Sequence, residues 1–318
     1  MIIPCYNGEK YIDTSIRSVY EQDYPDIELI VVDDGSTDAG REKILAWRER
    51  FSEKGFSLQY VYQENQGLGG AINTGLKYVS GEFLTLLDAD DYFLPGSVAK
   101  RAAFLEDHPD FAGVRTNGWM LKGDKRIPFI RSEKEKNSTD YFNALFFDGA
   151  VNWAGSYMVR TKELFDFYPV REIYPSRFGQ NMQIILPVAY KKKFGCIDEP
   201  LMVYVLREKS LSQAGKDEKK REKKDRNFYG YIDIYRHMTE AVIDKEEERK
   251  IYLNLIDSWI FRHEFEKAAA EKDLDSLKRY FRALEETGCA TLNDKIRYYS
   301  FVNRAREMFY RLVRRFTS

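Results

Sequence analysis

Residues 82–95 hold the feature that most restricts what this chain can fold into. An apolar run, Phe83, Leu84, Leu86 and Leu87 around Thr85, delivers Asp88, Asp90 and Asp91 to a loop closed by Pro95. A continuous apolar run of this length reads as a strand buried on both faces, as in a parallel sheet. Carboxylates at the end of such a strand repel one another and are costly to desolvate, so they call for a cation. A hard divalent ion held by one or two carboxylates and completed by phosphate oxygens meets that need. Taken alone, the same residues also read as a solvated acidic turn, with Asp91 capping a helix that starts near Pro95.

The surrounding sequence repeats the pattern. Met1 to Asn7 is a short strand running into a loop, and Glu28 to Val32 is a buried strand ending in Asp33-Asp34-Gly35-Ser36. Residues 57–62 alternate as a third strand. Asn65, Gly67, Gly69, Gly70, Asn73 and Gly75 mark a glycine-rich entry to a helix. Apolar spacing predicts helices over 9–22, 39–52 and 68–79. Strands alternating with helices at this cadence predict parallel βαβ units, whose ligands sit beyond the carboxyl ends of the strands. Further on, extended segments are expected over 112–130, a helix over 138–147 and a strand over 152–160. A helix from Gln180 to Tyr190 is expected to break or begin near Pro187. Two strands, 194–198 and 201–206, are expected on either side of Glu199-Pro200.

Composition shifts after that. Residues 216–226 hold seven bases and four acids, a solvated linker or helix surface, and four helical stretches follow near 227–243, 246–270, 273–286 and 294–315. The expected organisation is one α/β domain over 1–213 and a charged, mostly helical region over 214–318. Lys and Arg (50) balance Asp and Glu (51), so bulk charge gives no reason to expect a nucleic-acid partner. Cys5, Cys196 and Cys289 lack ligand or C-x-x-C spacing, which predicts free thiols in a reducing compartment. No apolar run reaches membrane-spanning length and no signal-peptide pattern is present, so a cytoplasmic protein is expected.

Taken in order, the Ile-Ile-Pro strand, the Asp-Asp-Gly-Ser turn, the glycine-rich helix entry and the Asp-X-Asp strand resemble a family 2 glycosyltransferase of the GT-A fold. The resemblance covers roughly residues 1–213, and it implies a Rossmann-like, mostly parallel sheet flanked by helices, with the C-terminal helices as an appendage. It also implies a first strand that begins several residues before Met1, so a truncated start is expected. The implied activity is transfer of a sugar from a nucleotide sugar, a UDP-sugar by the pattern, to a saccharide or lipid-linked acceptor in surface polysaccharide synthesis, with inversion. Asp34 would accept from the imide N–H of uracil, while Asp33 tethers the loop or ribose. Pro4, Tyr6, Asn7 and Glu9 would wall the base and ribose, and Asn65, Gly67, Gly70 and Asn73 would line the donor pocket. Asp90 would bind Mn²⁺ or Mg²⁺ beside the two phosphates, with Asp88 on the ribose or the ion's water shell and Ala89 between them.

Three positions depart from the family pattern. A basic residue usual near 71 or 72 is replaced by Ala71 and Ile72. The acidic pair that usually supplies the general base is replaced by Gln180 and Asn181, which cannot accept a proton at neutral pH. Asp148, Glu172, Asp198 and Glu199 are the nearest acids in sequence, and the last two read as a turn ordering strands. Arg207 stands at a usual histidine position; it can pair with phosphate or with a nearby acid. Trp153 and Gln180 fall where an acceptor would bind, although Trp153 reads equally as core. The stripe Tyr298, Val302, Ala305, Phe309, Leu312 and Phe316, ringed by arginines over 294–316, fits an anionic membrane surface, neighbouring helices or a second copy of the chain. Two other classes share these residues: a non-catalytic member that binds nucleotide sugar or glycan, and a sugar nucleotidyltransferase. The latter lacks support because no basic, glycine-rich loop follows the first strand.

Overall fold

The computed structural model describes residues 1–207 and 218–303. Two compact units emerge, Met1–Ile234 and the residues from Tyr235 onward. The boundary expected at 213/214 lies outside the described residues.

In the first unit, β1 (Ile2–Cys5), β2 (Glu28–Asp34) and β3 (Ser57–Gln63) pair in parallel in that order. Between them run α1 (Ile12–Tyr20), α2 (Gly40–Leu45) and α3 (Arg48–Glu53). The single helix expected over 39–52 is therefore two short ones. The chain bends at Ala46–Trp47, which turns Trp47 into an aromatic cluster with Tyr20 and Phe51. Then α4 (Gly67–Tyr78) leads to β4 (Phe83–Leu84). The apolar run 83–87 is divided between two sheets. Phe83 and Leu84 pair antiparallel with β8 (Tyr157–Arg160), whereas Leu86 bridges Ile2 in parallel and the Leu87 N–H donates to Ile2 O at 3.0 Å. Burial on both faces follows from this shared position, with Leu84, Leu86 and Leu87 almost wholly enclosed.

The second sheet adds β5 (Tyr92–Phe93), β6 (Phe111–Lys122), β7 (Lys125–Pro128) and β9 (Lys193–Val205), ordered β4-β8-β6-β9-β5 with β7 on β6. Only β6 and β9 pair in parallel within it. The two strands expected around Glu199-Pro200 are one strand, β9, whose register against β6 slips between Thr116–Ile197 and Asn117–Pro200. The strand expected over 152–160 is confined to 157–160, because residues 153–156 make a turn closed by the Ser156 N–H on Trp153 O.

Helices α5 (Ser97–Asp107), α6 (Glu133–Asn137), α7 (Tyr141–Asn143), α8 (Thr161–Phe167) and α9 (Gln180–Ala189) complete the layers. A π turn over Ala144–Asp148 prolongs α7, and α8 has no counterpart in the expectations. Pro187 neither begins nor breaks α9; the burial of every residue from Met182 to Ala189 outweighs one missing backbone donor. Helix α10 (Glu218–Val242) begins in the first unit.

The second unit holds α11 (Glu246–Glu271) and α12 (Leu274–Glu286) around Phe265, Leu277, Phe281 and Leu284. Residues 292–303 are helical, and Tyr298 stacks on Phe281 at 4.1 Å between ring centres. The remainder of the 294–316 stripe, from residue 304, lies outside the described residues. Among the described residues no helix is long and apolar enough to cross a membrane.

Candidate active site

The site forms where β1, β2, the 85–87 segment and β9 end. Asp88, Asp90 and Asp91 bring carboxylate oxygens within 4.8 Å of one another. Burial, then the neighbouring charge of Asp90, pushes the Asp88 carboxyl up to about 7. Burial and the charge of Asp88 push Asp91 well above the usual carboxylate range, against the pull of the Val205 N–H, which donates to Asp91 Oδ1 at 2.9 Å. Asp91 Oδ2 is buried with no hydrogen-bond partner among the described residues. Asp91 therefore does not cap α5, whose N-cap is Gly96; it pins the acidic loop to the end of β9. Crowded carboxylates with an unsatisfied buried oxygen are what a hard divalent cation would neutralise, so the donor set fits Mg²⁺ or Mn²⁺.

Two residues past Val205, Arg207 reaches the same loop. Its guanidinium donates to Asp90 O at 3.1 Å, lies 3.4 Å from Asp90 Oδ2 and sits over the Tyr11 ring, 3.1 Å from its centre. Of the two sequence readings, the acid that pairs with Arg207 is thus a member of the acidic triad itself. Tyr11 was not legible as a site residue, since one exposed aromatic in a helix entry carries no signal of its own.

The Asp33-Asp34 pair behaves differently. Asp33 accepts from the Ser36 N–H at 2.8 Å and from the Tyr60 hydroxyl at 2.6 Å, and so tethers its loop. Asp34 Oδ1 accepts from Gln63 Nε2 and the Gln66 N–H, and its Oδ2 from the Gly67 N–H, all at 2.7–2.8 Å. This carboxylate closes the entry to α4, where negative charge suits the helix N-terminus. Gly35, with φ +78°, packs so closely that a methyl there would lie 2.9 Å from Asn65 N.

Other residues singled out in the sequence fall around this edge. Pro4 is buried within β1 opposite Val32, whereas Tyr6 is 57 % exposed at the mouth. Asn7, at φ +50°, accepts from the Thr37 N–H through Oδ1, and the Glu9 N–H donates to Asp38 Oδ2 at 2.8 Å, so both organise the first loop. A methyl on Gly8 would lie 3.8 Å from Ala89 Cβ, which puts this loop beside the acidic one. Gly67 is left-handed at φ +78° and Gly70 lies one turn on; Asn65 is exposed before them. The Asn73 amide is committed to both backbone groups of Ile173, at 2.8 and 3.0 Å. Ala71 and Ile72 are buried.

On the other flank, Gln180 and Asn181 open α9 after Gly179, itself left-handed at φ +66°. Gln180 is buried and its Nε2 donates to Ser176 O at 2.9 Å, while Asn181 Oδ1 accepts from the Tyr157 hydroxyl at 2.9 Å. The four acids weighed for that role are all ion-paired: Asp148 with Lys134, Glu172 with Lys77, Asp198 with Lys136 and Glu199 with Lys100. Trp153 stacks on Tyr204 at 4.7 Å and meets Phe129 edge-on, so one indole face is filled by the protein. Arg101, fully buried, escaped sequence reasoning. It donates to the carbonyls of Ser97, Gly155 and Tyr157 and so holds the turn before β8 against the 83–87 strand.

A GT-A type of α/β fold with an acidic triad at the carboxyl edge is the class that fold and site define. Residues 1–165 match the profile of Glycosyl transferase family 2, and the chain belongs to that family. A glycosyltransferase of Nostoc sp., itself uncharacterized, is 35% identical over 150 residues, 47% of this chain and 45% of that protein. The poly(ribitol-phosphate) β-N-acetylglucosaminyltransferase TarS of Staphylococcus aureus is 36% identical over 138 residues, 42% of this chain and 24% of its own length. The chain thus spans less than half the length of these curated relatives. In three dimensions it resembles S. aureus TarS 1–349 in complex with UDP-GlcNAc, with a TM-score of 0.63 and 20% identity over 90% of this chain and 79% of that one. The Pyrobaculum calidifontis mannosyltransferase PcManGT, in complex with GDP-Man and Mn²⁺, gives 0.53 and 20% over 98% and 81%.

Proposed function

We propose that the protein is an inverting glycosyltransferase that moves a sugar from a UDP-sugar to a saccharide or lipid-linked acceptor of a surface polysaccharide. The observation that carries this reading is the acidic triad with Arg207 on Asp90, at the sheet edge where a nucleotide diphosphate would lie. Asp90 and Asp88 would hold Mn²⁺ or Mg²⁺, with Asp91 beneath them. When bound, such an ion supplies Lewis-acid stabilisation of the charge that gathers on the leaving diphosphate. Arg207 adds a second, fixed positive group to the same phosphates. Asp34 spends three of its roughly four acceptor positions on the 63–67 loop. The remaining one would take the imide N–H of uracil, with Tyr6 as the wall of the base site. The 1–213 span would act as the transferase domain. A cytoplasmic location, with the basic 294–316 stretch resting on an anionic membrane, or a homodimer formed through it, completes the proposal.

A second reading has its own observation. Amides stand at 180 and 181, so the first turn of α9 itself carries no carboxylate to serve as general base, and Glu172 and Asp148 are ion-paired. A member that binds donor without turning it over fits those positions. Calorimetric titration of UDP and GDP, each with Mn²⁺ and with EDTA, tests the donor site in wild type and Asp90→Ala. Metal-dependent binding of UDP that the substitution removes is expected; no binding of either nucleotide by folded protein overturns the transferase reading. UDP release from UDP-GlcNAc, even slow and into water, then separates enzyme from binder.

A further inference from the structure

The middle of α10 meets the turn before α9 by an unusually close fit. Gly179 and Gly230 each lie against the other segment. A methyl on Gly179 would come within 2.7 Å of Ile234, and one on Gly230 would enter the Phe178 ring. Gly230 and Ile234, four residues apart, therefore form the face of α10 that seats on the 178–179 turn, directly before Gln180 and Asn181. Tyr231 comes next in the helix. Its ring centre lies 5.8 Å from that of Phe178, yet the residue is 48 % exposed.

Two further relations locate this ring. The Tyr157 hydroxyl donates to Asn181, and its carbonyl accepts from the Thr85 hydroxyl on the strand that delivers Asp88; for Tyr231, burial and then the Asp88 charge raise the phenol. Together they set Tyr231 beside the opening of α9, on the flank where Tyr157 joins the 83–87 strand to Asn181. A tyrosine here offers an apolar face and a hydroxyl at one end, the combination that suits a sugar ring.

We propose that Tyr231, supported by Phe178, is the acceptor subsite, its ring stacking on a saccharide ring and its hydroxyl bonding one of the sugar's hydroxyls. The occupant is a saccharide, whose apolar ring face and hydroxyls match those of the tyrosine. This rests on the transferase reading and extends it to the other substrate. It also gives α10 a part in substrate binding, which no motif in residues 216–243 announces.

The test uses the full chain loaded with UDP and Mn²⁺ and probed by saturation-transfer NMR with maltose, cellobiose, lactose and diacetylchitobiose. Wild type is expected to bind at least one of them. Tyr231→Ala weakens that binding by about tenfold, and Tyr231→Phe, which keeps the ring, by roughly two- to threefold. UDP titration of each protein shows whether the donor half is intact. Equal saccharide binding in wild type and Tyr231→Ala, or no saccharide bound by UDP-loaded wild type, overturns the subsite and leaves the donor reading standing. Failure of wild type to bind UDP overturns the donor reading instead.

Discussion

Asp33-Asp34 and Asp88-Ala89-Asp90-Asp91 are nearly the same statement in sequence: a buried apolar strand that ends in adjacent acids and a turn. In the folded protein they are opposites. Every oxygen of Asp34 already has a donor, and Asp33 is held by a backbone N–H and a phenol. Among the described residues, the triad has one backbone N–H, one arginine and an orphaned buried oxygen for three carboxylates. The first cluster staples loops together, whereas the second stores unfavourable electrostatics that a cation would relieve. Acids at a strand end thus mark a cation site only when the fold withholds their donors.

Substitutions can break this comparison. The largest effect is expected for Asp90→Ala, which should lower sugar transfer or donor hydrolysis by about 10²- to 10³-fold, the usual loss of a key electrostatic group. Its thermal stability should hold or rise, since a repelling charge is gone; UDP-release kinetics and a melt on the same sample check both. A large drop in stability instead would make the triad a staple like Asp34. Asp34→Ala should do the reverse. It strands the N–H groups of Gln66 and Gly67 and should cost about 2–4 kcal/mol in urea denaturation. Asp91→Asn, which keeps an acceptor for Val205, should stay within about 1 kcal/mol of wild type in the same assay.

Mn²⁺ at a hundred times its dissociation constant should stabilise wild type by about 2.7 kcal/mol, reversibly with EDTA. The gain should vanish in Asp88→Asn and Asp90→Asn and persist in Tyr60→Phe, which loosens only the Asp33 cluster. Equal stabilisation in all four would place the ion elsewhere. The smallest effect sharpens rather than breaks the contrast. Arg207→Ala removes a partly exposed ion pair and should change stability by less than about 1 kcal/mol. UDP affinity should fall about tenfold, more steeply in EDTA than in Mn²⁺, because the arginine and the ion serve the same phosphates.

The half proposed to hold the donor was legible because its signals are local. Apolar runs of strand length, Asp-Gly turns and a glycine-rich helix entry each depend on neighbours in sequence, so β1 to β3, α1, α4 and the acidic loop fall close to where the pattern puts them. The half around β9 and α9 was less so. Lys193–Val205 forms one strand because β6 supplies a partner along its length and absorbs the Asp198-Glu199 slip. Pro187 stays inside α9 because its surroundings are packed. Neither partner is visible from the segment itself.

By itself, then, the sequence determined the fold class, the family pattern and the two places where acids gather at strand ends. It also showed that positions 180 and 181 carry amides in place of acids. Only the tertiary structure decided which acid cluster is satisfied, that Arg207 lands on Asp90 over Tyr11, and that α10 returns to set Tyr231 beside the opening of α9. Residue type fixes how many hydrogen bonds and charges a side chain brings, and local spacing fixes which element carries it. Whether those groups meet a donor, a like charge or open space depends on segments tens to more than a hundred residues away, and long-range packing alone brings them together.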